Sequence, residues 1–186
     1  MAITRRRLSL EEFLKLPERK PALEYEDGRI TQKVSPKGPH SRLQFKSADL
    51  INRHGEPGKL AMAFTELRTT FAQSSRVPDV SVYAWHRIPR DARGWIADDF
   101  LEPPDIGIEI ASPGQSIPAL ERRCLRFLDE GVGIMLLVNP RNESIVDFRA
   151  GAPPRTLRGS DRIDLGSLLP DFRLTVQELF DFLRLD

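Results

Sequence analysis

One short segment constrains the fold more than any other, the run Pro-Pro-Asp-Ile-Gly-Ile-Glu-Ile-Ala-Ser-Pro from Pro103 to Pro113. Its centre, residues 106–111, is mostly apolar and is bounded by prolines, which is typical of a strand buried on both faces. A helical pattern over residues 118–129 and a second apolar run over 133–138 come next. The sequence therefore predicts a strand–helix–strand unit with two parallel strands and a right-handed crossover.

The chemical anomaly of this segment is Glu109, a carboxylate in the middle of the apolar strand. Such a charge is costly unless it is paired, hydrogen-bonded or bound to a metal. The short strand predicted over residues 77–83 repeats the anomaly, because Asp79 directly follows Pro78. Two carboxylates on neighbouring strands suit a hard cation such as Mg²⁺. Two simpler explanations stay open at this point: Asp79 caps a turn after Pro78, and Glu109 pairs with one of the many arginines.

The rest of the chain alternates between strand and helix signals. Ser9 and Glu12 form a capping-box pattern that begins a short helix, and Asp27-Gly28 marks a hairpin between two strands. Further helices are predicted over 40–55 and, with Thr175 as the N-cap, over 176–183. Further short strands are predicted over 59–64, 67–71 and 145–148. The predicted fold is α+β leaning to α/β, a mixed central sheet flanked by helices and preceded by an N-terminal hairpin, with residues 1–186 as a single domain.

Composition limits the class of protein without naming its substrate. A formal net charge of +1 neither requires nor excludes nucleic acid. The single cysteine, Cys124, cannot form an intramolecular disulfide and fits a reducing compartment. The longest uncharged apolar run, residues 131–138, is far shorter than the about 20 residues that span a bilayer. We therefore expect a cytoplasmic protein that does not enter a membrane.

Several motifs along the chain carry a family resemblance. They are Leu23–Gly28, Ser35-Pro36 with His40, Val77–Val80, Pro104-Asp105-Ile106 leading into Ile108–Pro113, Phe127–Val132, and Leu137–Pro140. Together they make the chain resemble the Uma family of bacterial endonucleases, within the PD-(D/E)xK, restriction-endonuclease-like superfamily.

The resemblance implies a restriction-endonuclease-like fold and a phosphodiesterase site that depends on Mg²⁺ or Mn²⁺. Asp79 and Glu109 would coordinate the cation, and Glu24 would add a third carboxylate. The substrate would be nucleic acid, with DNA favoured over RNA, and the active form a homodimer. His40 matches a family histidine that could orient a phosphate or a carboxylate, although a plain hydrogen bond at the start of a helix explains it equally well.

The chain departs from the family pattern at the catalytic lysine. Ala111 lies two residues after Glu109, where the superfamily lysine usually stands, and the resemblance places the cation at Arg123 instead. Arginine keeps the charge and binds phosphate through two donors, but it does not easily give up a proton. Three more positions near this helix depart from the pattern: Ala119, Phe127 and Asn139.

Two functions are consistent with this sequence. The first is a metal-dependent endonuclease in which Asp79, Glu109 and Arg123 are catalytic and Arg123 and His40 contact the nucleic acid. The second is a catalytically inactive relative that binds nucleic acid or another protein without cutting. The retained carboxylates favour the first function, and the departures from the family pattern at Arg123 and Ala119 favour the second.

Overall fold

Two β-sheets organise the chain, which a computed structural model describes over residues 8–185. The helices are α1 (Leu10–Leu14), α2 (Gly38–Gly55), α3 (Ile117–Asp129) and α4 (Val176–Asp181). The strands are β1 (Leu23–Glu26), β2 (Arg29–Gln32), β3 (Ala61–Thr65), β4 (Thr69–Phe71), β5 (Ser74–Arg76), β6 (Val80–Ala84), β7 (Ile106–Ile110), β8 (Ile134–Asn139), β9 (Ser144–Arg149) and β10 (Arg155–Arg158).

The central sheet has six strands in the order β10-β9-β8-β7-β6-β3. β7 and β8 are parallel and are joined by α3, whereas the other neighbouring strands are antiparallel. The predicted strand–helix–strand unit and the predicted mixed sheet are therefore confirmed.

The two faces of the central sheet carry different groups. Ile106, Ile108 and Ile110 of β7 belong to a core that they share with residues of α2 and α4. Because side chains alternate across a strand, Glu109 lies on the opposite face. That face packs against α3 through a second core that includes Phe127. The alternation thus directs the one carboxylate of β7 toward α3.

The N-terminal hairpin belongs to a second sheet, of four strands in the order β2-β1-β5-β4. Its turn is the predicted one, since Asp27 and Gly28 both have positive φ, at 48° and 77°, as a type I′ turn requires. The sequence analysis did not predict β5, because its residues, Ser-Ser-Arg, are polar. These residues are nevertheless buried, so the hairpin is half of a larger sheet.

Two helix starts follow the rules that predicted them. Ser9 and Glu12 form a complete capping box at α1, and Thr175 forms one with Glu178 at α4. No helix among residues 8–185 combines the length and the apolar character needed to cross a membrane.

The end of α2 offers a test of how this helix packs on the central sheet. A Cβ added at Gly55 would lie 2.6 Å from the carbonyl oxygen of Ala61 on β3, whereas one added at Gly38 would meet nothing within 4 Å. We expect Gly55→Ala to lower the free energy of unfolding by about 1–3 kcal/mol, because backbone must move to admit the methyl group. Gly38→Ala is the matched control and should change it by less than about 0.5 kcal/mol. Urea denaturation measures both, and equal effects would contradict this packing.

Candidate active site

A small cleft lies where the two sheets meet the beginning of α2 and the middle of α3. Its volume is about 110 Å³. Its polar lining comes from both sheets and both helices: Glu24, Gln32, Lys33, His40, Asp79, Glu109, Ser112, Gln115 and Arg123.

Strand register brings two carboxylates into this cleft. β6 and β7 pair so that Val80 faces Ile108, and continuing the register by one residue places Asp79 opposite Glu109. The backbone N–H of Ile110 donates to Oδ2 of Asp79 at 2.7 Å, which fixes the Asp79 carboxylate beside β7. Both side chains are almost completely buried.

Asp79 is held by two basic side chains. The ammonium of Lys33 donates to Oδ1 of Asp79 at 2.7 Å, and Nε2 of His40 lies 3.4 Å from the same oxygen. Burial alone would raise the pKa of Asp79, but the hydrogen bond from His40 and the charge of Lys33 outweigh it and lower the pKa to about 2. The Asp79 side chain is therefore a stable carboxylate at neutral pH.

Arg123 joins the two remaining carboxylates. Its Nε donates to Oε1 of Glu109 at 2.8 Å, and its two terminal nitrogens donate to Glu24 at 3.0 and 2.7 Å. Glu24 also accepts a hydrogen bond from the backbone N–H of Val77 at 2.7 Å. A bidentate contact of this kind is among the strongest pairings of two side chains, so both oxygens of Glu24 are fully engaged.

The charges of the cleft do not cancel. Three carboxylates face two permanent cations, Lys33 and Arg123. Burial raises the pKa of Glu109, repulsion from Asp79 and Glu24 adds to this, and the attraction of Arg123 and Lys33 offsets it only in part. The pKa of Glu109 rises to about 7. Glu109 is therefore the carboxylate of the cleft that binds a proton near neutral pH, and this proton neutralises the excess negative charge.

The donor chemistry of the cleft suits a hard divalent cation. Among the described residues, only one oxygen of Glu109 accepts a hydrogen bond, which leaves the other available as a ligand. No group of three or more His, Cys, Asp or Glu side chains within residues 8–185 could hold a metal ion. Mg²⁺ usually binds to one or two carboxylates and completes its shell with water and phosphate oxygens, and Asp79 with Glu109 forms such a pair.

The structure also decides between the simpler explanations of these residues. Asp79 does not cap a local turn, because its partners come from β7, α2 and the segment after β2. Glu109 does pair with an arginine, and that arginine is Arg123. His40 makes long-range contacts, with Asp79 and with Oγ of Ser112 at 3.0 Å. The three predicted carboxylates, Arg123 and His40 all line one cleft, and their roles there stay predictions.

Sequence reasoning missed Lys33. Its ammonium contacts Asp79 and, at 3.0 Å, Glu66, and only 11% of its side chain is exposed. Burial would lower the pKa of Lys33, but the charges of Asp79, Glu109 and Glu66 outweigh it and raise the pKa. The alternation of the hairpin carried a usable signal, because the pairing of Glu24 with Thr31 puts Glu24 and Lys33 on the same face.

The raised pKa of Glu109 predicts how stability depends on pH. Between its ordinary pKa of 4.5 and about 7, the folded protein holds a proton that the unfolded chain has released, so stability falls as pH rises through this window. The lowered pKa of Asp79 changes stability only below about pH 4, so the contribution of Asp79 to stability is constant between pH 5 and pH 8. From pH 5 to pH 8 we expect the wild type to lose on the order of 2 kcal/mol relative to Glu109→Gln. Urea denaturation of both proteins measures this, and parallel pH profiles would contradict a buried proton on Glu109.

Comparisons with known proteins agree with this fold. Residues 10–177 match the Uma2 family, described as putative restriction endonucleases. A similar solved structure is that of a putative nuclease belonging to DUF820 from Anabaena variabilis, with a TM-score of 0.91 and 38% sequence identity over 95% of this chain and 99% of that chain. No curated protein matches the chain. Because the family match covers most of the sequence, the chain belongs to the Uma2 family and has its nuclease-like fold.

Proposed function

We propose that this protein is an endonuclease that hydrolyses phosphodiester bonds of nucleic acid with the help of Mg²⁺ or Mn²⁺. The observation that carries the proposal is the pair Asp79 and Glu109, opposed across two strands in a cleft that also holds Lys33 and Arg123. Carboxylates beside fixed cations are the groups that bind a metal and stabilise the charge of a phosphoryl transition state. Membership of the Uma2 family supports the same reaction class.

The chain's own residues have separate tasks in this proposal. Asp79 and Glu109 would hold the cation, which when bound polarises the phosphoryl oxygen and activates water. His40 orients Asp79 and is itself positioned by Ser112. Glu24, predicted as a third ligand, forms a bidentate pair with Arg123, so we propose that it acts mainly by orienting Arg123.

We further propose that the substrate is DNA, that the active form is a homodimer and that the protein works in the cytoplasm. The family resemblance supports the first two statements. The single cysteine, Cys124, is buried and free, which is compatible with a reducing compartment.

A second candidate function is binding of nucleic acid or protein without cutting. The contact that favours it is the one between Arg123 and Glu109, because a guanidinium on a ligand carboxylate neutralises negative charge that would otherwise attract a metal ion.

Nicking of supercoiled plasmid DNA, with and without Mn²⁺, decides between the two functions. For an endonuclease we expect Mn²⁺-dependent nicking that Asp79→Ala and Glu109→Ala both abolish, because each removes a ligand. Asp129→Ala is the matched control, since Asp129 is exposed at the end of α3, and it should cut like the wild type. A wild type that binds plasmid DNA and leaves it uncut would support the binding module.

Arg123→Lys tests whether the arginine competes with the metal. A lysine ammonium lacks the planar fork that lets Arg123 pair with both oxygens of Glu24 while its Nε reaches Glu109, so Glu109 should be held less firmly and bind the cation more easily. We expect about tenfold tighter Mn²⁺ binding by calorimetry, since one charge-assisted hydrogen bond is worth about 1.5–3 kcal/mol, and faster nicking. Arg122→Lys, at the exposed neighbouring position, is the control. Unchanged Mn²⁺ affinity in Arg123→Lys would show that the pair does not limit metal binding.

A further inference from the structure

The cleft contains two cationic side chains, Lys33 and Arg123, and their contacts indicate different roles. Arg123 uses all three of its nitrogens on carboxylates of the protein. Its guanidinium also lies over the ring of Phe127, 5.3 Å from the centroid. Glu24 and Glu109 accept from three of the five N–H donors of Arg123, and their negative charges oppose the approach of a phosphate to the other two, so this side chain is poorly placed to bind substrate.

Lys33 differs from Arg123 in having one exposed partner, whereas only 8% of the Glu24 side chain and 6% of the Glu109 side chain are exposed. An ammonium has three donors, and Lys33 uses one on Asp79 and one on Glu66. Glu66 is half exposed, at 45% of its side chain, so a phosphate oxygen could replace it at small cost. Lys33 can therefore keep its bond to Asp79 and still offer one or two donors to a substrate anion.

The position of Lys33 beside Asp79 matters for the chemistry. A cation next to a ligand carboxylate lies where negative charge develops on the transferring phosphoryl group. The usual lysine position on the Glu109 strand is occupied here by Ala111, which has no charge to offer. A lysine from the hairpin thus supplies an ammonium that β7 itself lacks.

We infer that Lys33 is the catalytic cation that contacts the scissile phosphate, and that Arg123 is a positioning residue that holds Glu24 and Glu109. This inference rests on the proposed nuclease function, and it replaces Arg123 by Lys33 as the phosphate-binding cation of the cleft.

Binding of a fluorescent DNA duplex in EDTA tests the contact without any metal. Lys33→Met should weaken binding about tenfold at low salt, because one charged contact is lost. It should also reduce the slope of log K against log salt concentration by about 0.9, the value for one phosphate contact. Lys15→Met is the matched control, since Lys15, which directly follows α1, also pairs with a carboxylate, that of Glu11 at 2.6 Å, but both side chains are exposed. Its slope should equal that of the wild type.

Lys33→Gln guards against a folding defect, because the amide can still donate to Asp79 while the charge is gone. It should stay folded but melt at a lower temperature than the wild type because a buried ion pair is lost. It should also show the same reduced slope and nick DNA with Mn²⁺ at least about 100-fold more slowly, as expected when a donor to the developing oxyanion is removed. Lys33→Arg should restore the slope.

The possible outcomes distinguish a failure of the role of Lys33 from a failure of the proposed nuclease function. A wild type that nicks DNA, together with Lys33→Gln that keeps the full slope and the full rate, would overturn the role of Lys33 and leave the nuclease intact. A wild type that never nicks, with a slope that still falls in Lys33→Gln, would overturn the nuclease and retain Lys33 as a phosphate contact. An unchanged slope in an inactive protein would overturn both.

Discussion

The contact of Arg123 with two buried carboxylates is the interaction on which the rest of the structure depends. Glu24 belongs to the four-stranded sheet and Glu109 to the central sheet, so a single guanidinium on α3 connects three elements. Removal of one partner from a buried ion pair typically costs about 3–5 kcal/mol, because a charge is left without compensation. The contact therefore stabilises the position of the small sheet against α3 and the central sheet.

A second arginine strengthens the same junction. Arg76 of β5 donates to Glu26 of β1 at 2.6 Å and to Glu130 after α3 at 2.8 Å. The guanidiniums of Arg76 and Arg123 both lie near the ring of Phe127, at 5.0 and 5.3 Å from its centroid. The small sheet thus meets α3 through charged groups around Phe127 and through the ring of Phe71 on β4, whose centroid lies 6.3 Å from that of Phe127. Buried pairs of this kind are screened much less by salt than exposed pairs, so the position of the hairpin should tolerate changes in ionic strength.

The periodic parts of the fold could be predicted because their physics is local. An apolar strand, a helix with one apolar face and a capping box each need only neighbouring residues to be recognised, and β7, α3 and α1 appear where the sequence places them. β5 could not be predicted, since its three polar residues are buried by pairing with β1 and β4. Long-range pairing of this kind has no local signature.

The residues of the candidate site also differ in whether the local sequence or only the tertiary structure identifies them. The sequence alone identified Asp79 and Glu109, because a carboxylate inside an apolar strand is anomalous wherever that strand packs. The cation on α3 was implied by the family resemblance and not by the residue pattern itself. Only the tertiary structure showed that Arg123 is occupied by two carboxylates and that Lys33 lies on Asp79. A lysine at the end of a polar hairpin strand looks like any solvated side chain, and it becomes a buried partner of Asp79 only when the hairpin docks beside β6 and β7.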